Sequence, residues 1–243
     1  MLDGSVVFFQ PEPIGRRPTP RSGYRRELLD PTPEDLVDVT ELCSAALGRV
    51  ASADWSTLAT GTDWTCRQTL EHLCSLAFAH QLATRARAFR PIAVAVVPEA
   101  SIDDLVWTMR VLMLVLADVV RAAPGDVRAF HPAGMADPSG WAAMAIDELV
   151  IHTHDIVVGL GDTFRPPSDL ASAVLDRLFP WWPQDVDPWK ALLWTNGRSS
   201  LPGRPNPGAS WLWHCAPLDE WDGRIPQWDP AANRPRASGS SDG

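Results

Sequence analysis

DPSGWAAMAIDELVIHTHDIVVGLG, residues 137–161, is the stretch whose reading decides the fold. The Asp137-Pro138 pair marks a helix start, and Gly161 suits a left-handed stop. Three further helical patterns precede it. The first opens at Thr32, with Pro33, Glu34 and Asp35 in a first turn whose positive end they suit. Its apolar stripe is Leu36, Val39, Leu42, Ala46 and Val50. The second is announced by Thr65, carries Leu70, Leu73, Leu76 and Ala77, and is expected to run to about Phe89. The third begins at Ser101, with Asp104 completing a capping-box pattern. Its apolar residues (Leu105, Val106, Met109, Leu112, Met113, Leu116, Val119, Val120) lie on nearly all sides, as expected of a central helix. Four helices of about twenty residues, with no strand alternation between them, predict a mainly α four-helix bundle.

The flanks read differently. Residues 1–30 hold Arg16, Arg17, Arg21, Arg25 and Arg26 among prolines and are expected to be an extended, partly disordered lead-in. The bundle takes residues 31–163. Residues 164–230 form a Trp-rich extension: a shorter helix, Ser168–Leu178, a helix turn at KALLW, then a Gly- and Pro-rich stretch of loops or short strands. That extension is either a wrap on the bundle or a small α+β unit. Residues 231–243 are compositionally loose and expected to be a disordered tail.

Composition narrows the function. A chain of 243 residues with net charge −9 lacks the basic face of a general nucleic-acid binder. Its most apolar run, residues 111–120, is broken by Asp118 and too short to span a bilayer. The opening MLDGSVVFFQPEP has neither a basic leader nor a long apolar run, and Cys43, Cys66, Cys74 and Cys215 form no CxxC pair. A cytoplasmic protein with reduced thiols is expected. Of 12 tryptophans, eight follow residue 180, so the two ends of the chain are built differently. The chain has no P-loop, G-x-G-x-x-G or H-E-x-x-H, and its G-x-S-x-G match, GSSDG at residues 239–243, falls in the loose tail rather than between a strand and a helix, so nucleophile-elbow, phosphate-cradle and zincin chemistries lack support.

The chemistry-bearing residues are in DELVIHTHD, residues 147–155. Glu148 and His152 are i and i+4, one turn apart on one helix face, where a carboxylate and an imidazole can share a divalent metal. Asp155, at i+3 from His152, can orient the imidazole from behind. His154 points away. The best third ligand is His72, mid-helix among Leu70, Leu73 and Leu76; two His and one Glu from facing helices make a metal site with an open position. Zinc fits this donor set best, with iron, manganese and nickel as alternatives. The same residues also fit a plainer reading, in which Glu148 bonds His152 on a surface and His72 is a satisfied core histidine. Glu71 is expected in solvent, and His80 and His131 are expected to be structural. His214 and Cys215 are weaker candidates for lining the site.

Three segments resemble those of a known family. DWTCRQTLEHLCSLAFAH, residues 63–80, is similar to the W-(T/S)-x-R-x-x-x-x-H-L segment of the DinB-like, mycothiol-dependent maleylpyruvate isomerase metal-binding domain. DELVIHTHDIVVGLG resembles that family's E-L-x-x-H-x-W-D helix, and ALLWTNGRSSLPG, residues 191–203, resembles its L-L-x-x-x-G-R stretch. The resemblance implies a DinB-like bundle, His72, Glu148 and His152 as ligands of a zinc-like ion, and mycothiol as thiol cosubstrate. It also implies that Arg198 holds an anionic substrate. His154 departs from the pattern, where the family has Trp, and Gln68 stands where an acid is common. The expected activity is metal-dependent S-transfer to, or cis–trans isomerisation of, a small electrophile. The competing expectation is a non-catalytic metal-binding bundle with a regulatory or structural role.

Overall fold

The computed structural model describes residues 30–86, 96–205 and 211–227, and the architecture there is mainly α. The helices are α1 (Pro33–Arg49), α2 (Cys66–Ala86), α3 (Ile102–Ala122), α4 (Pro138–Gly159), α5 (Ser168–Leu178) and α6 (Pro188–Thr195). A hairpin of β1 (Ala129–His131) and β2 (Gly134–Ala136) separates α3 from α4. The lead-in, the far end of the second helical pattern towards Phe89 and the C-terminal tail lie outside the described residues.

Cap chemistry sets the helix starts. The Thr32 hydroxyl accepts from the Asp35 N–H while Asp35 accepts from the Thr32 N–H, and Ser101 and Asp104 repeat the exchange at α3. At α2 the Gln68 N–H donates to the Thr65 hydroxyl at 3.1 Å and the Thr65 N–H donates to the Gln68 amide oxygen at 2.9 Å. A neutral glutamine therefore closes this cap as an acid would. The Asp137 carboxylate caps α4, and Gly161, at φ +85°, ends it in the left-handed conformation that glycine adopts without strain.

Helices α1 and α2 each pack against both α3 and α4, and α5 packs on α4 with α6 beside it. This places α4, not α3, at the centre. Sixteen residues of α4 are buried on all its sides, whereas α3 leaves Trp107 61% exposed. The reason is the extension: α5 covers the flank of α4 that α1 and α2 leave open. Leu42, expected in the buried stripe of α1, is 38% exposed and lines a groove between α1 and α5. The β1–β2 hairpin also departs from the strand-free expectation. Its strands have three residues each, too short for alternation to show in the sequence.

One buried cation ties the extension to α4. Arg177 of α5 is 1% exposed; it pairs with Asp137 and donates to the Ser139 hydroxyl and the His214 and Cys215 carbonyls. His214 and Cys215 belong to this strut, and their side chains do not join the metal-type cluster described below. Among the described residues no helix is long and apolar enough to cross a membrane.

Candidate metal centre

Packing of α2 on α4 brings three side chains to one point. Nε2 of His152 lies 3.0 Å from Oε2 of Glu148, and Nε2 of His72 lies 3.5 Å from the same oxygen. One ligand atom from each residue lies within 4.8 Å of the others. The two imidazole rings meet edge to face, with centroids 5.1 Å apart. In a tetrahedral zinc site, metal–ligand bonds near 2.0–2.2 Å separate neighbouring donor atoms by roughly 3.3 Å. The two distances to Glu148 bracket that value, and the N₂O donor set suits a borderline divalent ion, so these residues fit a metal.

Asp155 is fully buried behind His152, with Oδ2 3.2 Å from Nδ1 of the ring. In the neutral ring that bond favours the tautomer with its proton on Nδ1, whose Nε2 lone pair then faces Glu148 and could bind an ion. Arg198, just beyond α6, donates from Nη2 to Asp155 at 2.7 Å and from Nε at 3.2 Å, and from Nη1 to the Asn196 carbonyl at 2.8 Å. The guanidinium is thus engaged by the carboxylate that steadies His152. Its side chain stays 17% exposed at the edge of a cleft.

The electrostatics favour a cation here. Burial pulls the His152 imidazolium down, but bonds and charge from Asp155 and Glu148 outweigh it and raise the group to about 9. Burial penalises the Glu148 carboxylate, yet its bonds to His152 and His72 hold it well below the usual range. Next to it, burial and the Glu148 charge push Asp147 up to about 7. Asp147 accepts from Trp213 Nε1 at 2.9 Å and from Asn196 Nδ2 at 3.0 Å. Two residues of the extension therefore grip α4 beside the candidate ligand.

Two clefts flank the centre. One, of about 390 Å³, is lined by Trp64, Gln68, Glu71, His72, Ser75 and Val96. The other, of about 240 Å³, is lined among others by Glu148, His152, Asn196, Arg198, Trp211 and Trp213. Trp64 stands over the opening, 42% exposed, its ring 5.0 Å from His72 and 6.2 Å from His152. Trp64, Asp147 and Asn196 fall inside the quoted motifs but have no role assigned there, and the clustering of tryptophan after residue 180 is the signal for Trp211 and Trp213.

The remaining candidates sit apart from this cluster. His154 faces Trp189, with ring centroids 5.3 Å apart, and lines neither cleft. Glu71 is not free in solvent as expected: it pairs with Arg67 at 2.8 Å and is half-buried. His80 and His131 meet Trp141 edge to face, near the start of α4. The four thiols are free and buried, and burial pushes Cys66 up to about 11 and Cys43, Cys74 and Cys215 to about 12. None is a thiolate at neutral pH, so a sulfur nucleophile here would have to come from outside the chain.

No protein-family model matches the chain, and no curated protein or solved structure matches it.

Proposed function

We propose that this chain is a divalent-metal-dependent enzyme on a DinB-like four-helix bundle. In this reading it works in the cytoplasm and uses a low-molecular-weight thiol, mycothiol, for S-transfer to, or cis–trans isomerisation of, a small electrophile. The observation that carries the reading is the convergence of His72, Glu148 and His152, with ligand atoms within 4.8 Å of one another. The motifs of residues 63–80, 147–161 and 191–203 support the choice of family.

His72, Glu148 and His152 would hold the ion, zinc by donor type. A bound divalent ion favours the thiolate of a thiol whose unperturbed pKa is about 8.5. Asp155 keeps the His152 proton on Nδ1, and Arg198 keeps Asp155 in place. Arg198 also puts positive charge at the edge of the 240 Å³ cleft, which suits an anionic group on the electrophile. Trp211 and Trp213 give that cleft an apolar wall that excludes water from the reacting carbon. The larger cleft, with Trp64 at its mouth, leaves room for the bulkier thiol.

The test is a conjugation screen: metal-loaded protein, mycothiol and a panel of electrophiles including cis-diacids, read by mass spectrometry. The account expects a conjugate or an isomerised diacid, lost in His152→Ala. Metal binding without turnover of any member would favour the alternative, a non-catalytic metal-binding bundle with a regulatory or structural role.

A further inference from the structure

The seam between α2 and α4 does not end at the metal-type cluster. His80 follows His72 by eight residues on α2, about 12 Å along the axis, and Trp141 precedes Glu148 by seven on α4, about 10 Å. These two residues meet, with ring centroids 4.7 Å apart. Here three buried side chains hold polar atoms that have no hydrogen-bond partner among the described residues. His80 is 2% exposed, and neither ring nitrogen has a hydrogen-bond partner. Trp141 is 1% exposed with Nε1 unpartnered. Thr84, one turn beyond His80 and 2% exposed, has an unpartnered hydroxyl.

Thr84 is informative because a helical hydroxyl has an easy partner in the carbonyl four residues back. Thr40, Thr69, Ser75 and Ser172 all take that partner, at 2.6–3.1 Å. Thr84 does not. His131, from β1, closes the group with its ring 6.0 Å from His80 and 5.8 Å from Trp141. Its Nδ1 accepts from the Ala133 N–H at 3.0 Å, so the neutral ring carries its proton on Nε2. Burial pushes His80 down to about 3 and His131 to about 4, so both are neutral.

We infer that His80, Thr84, Trp141 and His131 form a second, uncharged binding site on this seam, one that takes a neutral hydroxyl- or carbonyl-bearing group. The donors are Trp141 Nε1–H, His131 Nε2–H and the Thr84 hydroxyl, and His80 supplies one further donor and one acceptor. That inventory satisfies an oxygen with two lone pairs and, for a hydroxyl, its proton as well. Both imidazoles feel the Glu148 carboxylate, and His80 feels the His131 and His72 rings as well, so the surroundings impose no single sign of charge and suit an uncharged group. The site stands on its own atoms and does not require the metal reading.

The test uses the full chain without added metal and reads the histidine ring nitrogens by long-range ¹H–¹⁵N correlation during titration with ethanediol and, separately, acetone. The expected result is a saturable shift of the His80 nitrogens with at least one probe. Thr84→Val, which keeps the shape and removes the hydroxyl, should bind that probe about tenfold more weakly, as expected for one lost hydrogen bond. His80→Phe should abolish binding while leaving the protein folded, since it keeps an aromatic ring edge to face with Trp141. No saturable shift with either probe, or a shift of equal affinity in Thr84→Val, would overturn the assignment.

Discussion

Asp155 Oδ2 lies 3.2 Å from Nδ1 of His152, on the side of the ring opposite Glu148, and nothing of that carboxylate is exposed. The imidazole is therefore held from behind by a buried anion whose own place is set by Arg198, a residue 43 positions later. Asp155→Asn keeps the shape but weakens this hold. It should reduce zinc affinity about 10- to 100-fold with folding intact, measured by competition with a chromogenic chelator. Arg198→Met should move affinity in the same direction, and Arg198→Lys should restore only part of it, because an ammonium cannot reproduce the two-atom grip. Unchanged affinity in Asp155→Asn would remove Asp155 from the account.

Acid should destabilise the protein through His80 and His131. Both are neutral in the fold, pushed by burial to about 3 and about 4, whereas in the unfolded chain each takes up a proton near pH 6.5. The unfolded state then binds more protons, so this stabilisation is complete above pH 6.5 and is lost as pH falls towards those values. The loss is at most about 1.4 kcal/mol per histidine per pH unit. Urea unfolding at pH 7.5, 6 and 5 should show a shallower decline in His80→Phe and in His131→Phe than in the parent. Parallel declines would show that these rings are not buried neutral.

Gly140 tests how closely the extension packs on α4. A Cβ built there would lie 2.1 Å from the Cys215 carbonyl oxygen and 2.9 Å from Arg177 Nη2. Backbone cannot yield as a flexible side chain does, so Gly140→Ala should cost about 1–3 kcal/mol or more in chemical denaturation, despite alanine's better helix propensity. A stabilised variant would mean that the 214–215 segment does not press on α4.

Trp213→Phe removes the donor to Asp147 while keeping an aromatic ring beside His131. The loss of a hydrogen bond to a buried carboxyl predicts a destabilisation of about 1–3 kcal/mol. Asn196→Ala should not add to it fully, since both donors serve the same carboxylate. Full additivity, measured by urea unfolding of both singles and the double, would contradict a shared anchor.

The helix starts were legible because their chemistry is local: Thr32 with Asp35, Ser101 with Asp104 and Asp137 with Pro138 each act within one turn. The Glu148–His152–Asp155 face was legible for the same reason, because helical spacing alone puts those side chains on one side. What escaped the sequence is non-local. That α4 and not α3 is the central helix depends on α5 folding back onto it, which no pattern inside either helix announces. The Asp147–Trp213 and Asp147–Asn196 bonds join residues 66 and 49 positions apart, so neither has a spacing to read. Arg198 was singled out by the NGR resemblance, but its bond to Asp155 follows from where α6 ends, not from the motif.

The central claim is that His72, Glu148 and His152 hold one divalent ion, and metal stoichiometry tests it most directly. The full chain, purified gently and reconstituted with zinc, should carry about one equivalent by inductively coupled plasma mass spectrometry. His72→Ala, Glu148→Gln and His152→Ala should each retain under about 0.2 equivalents with circular dichroism unchanged, since two ligands hold a metal weakly. A parent protein that stays below about 0.2 equivalents after reconstitution would contradict the account.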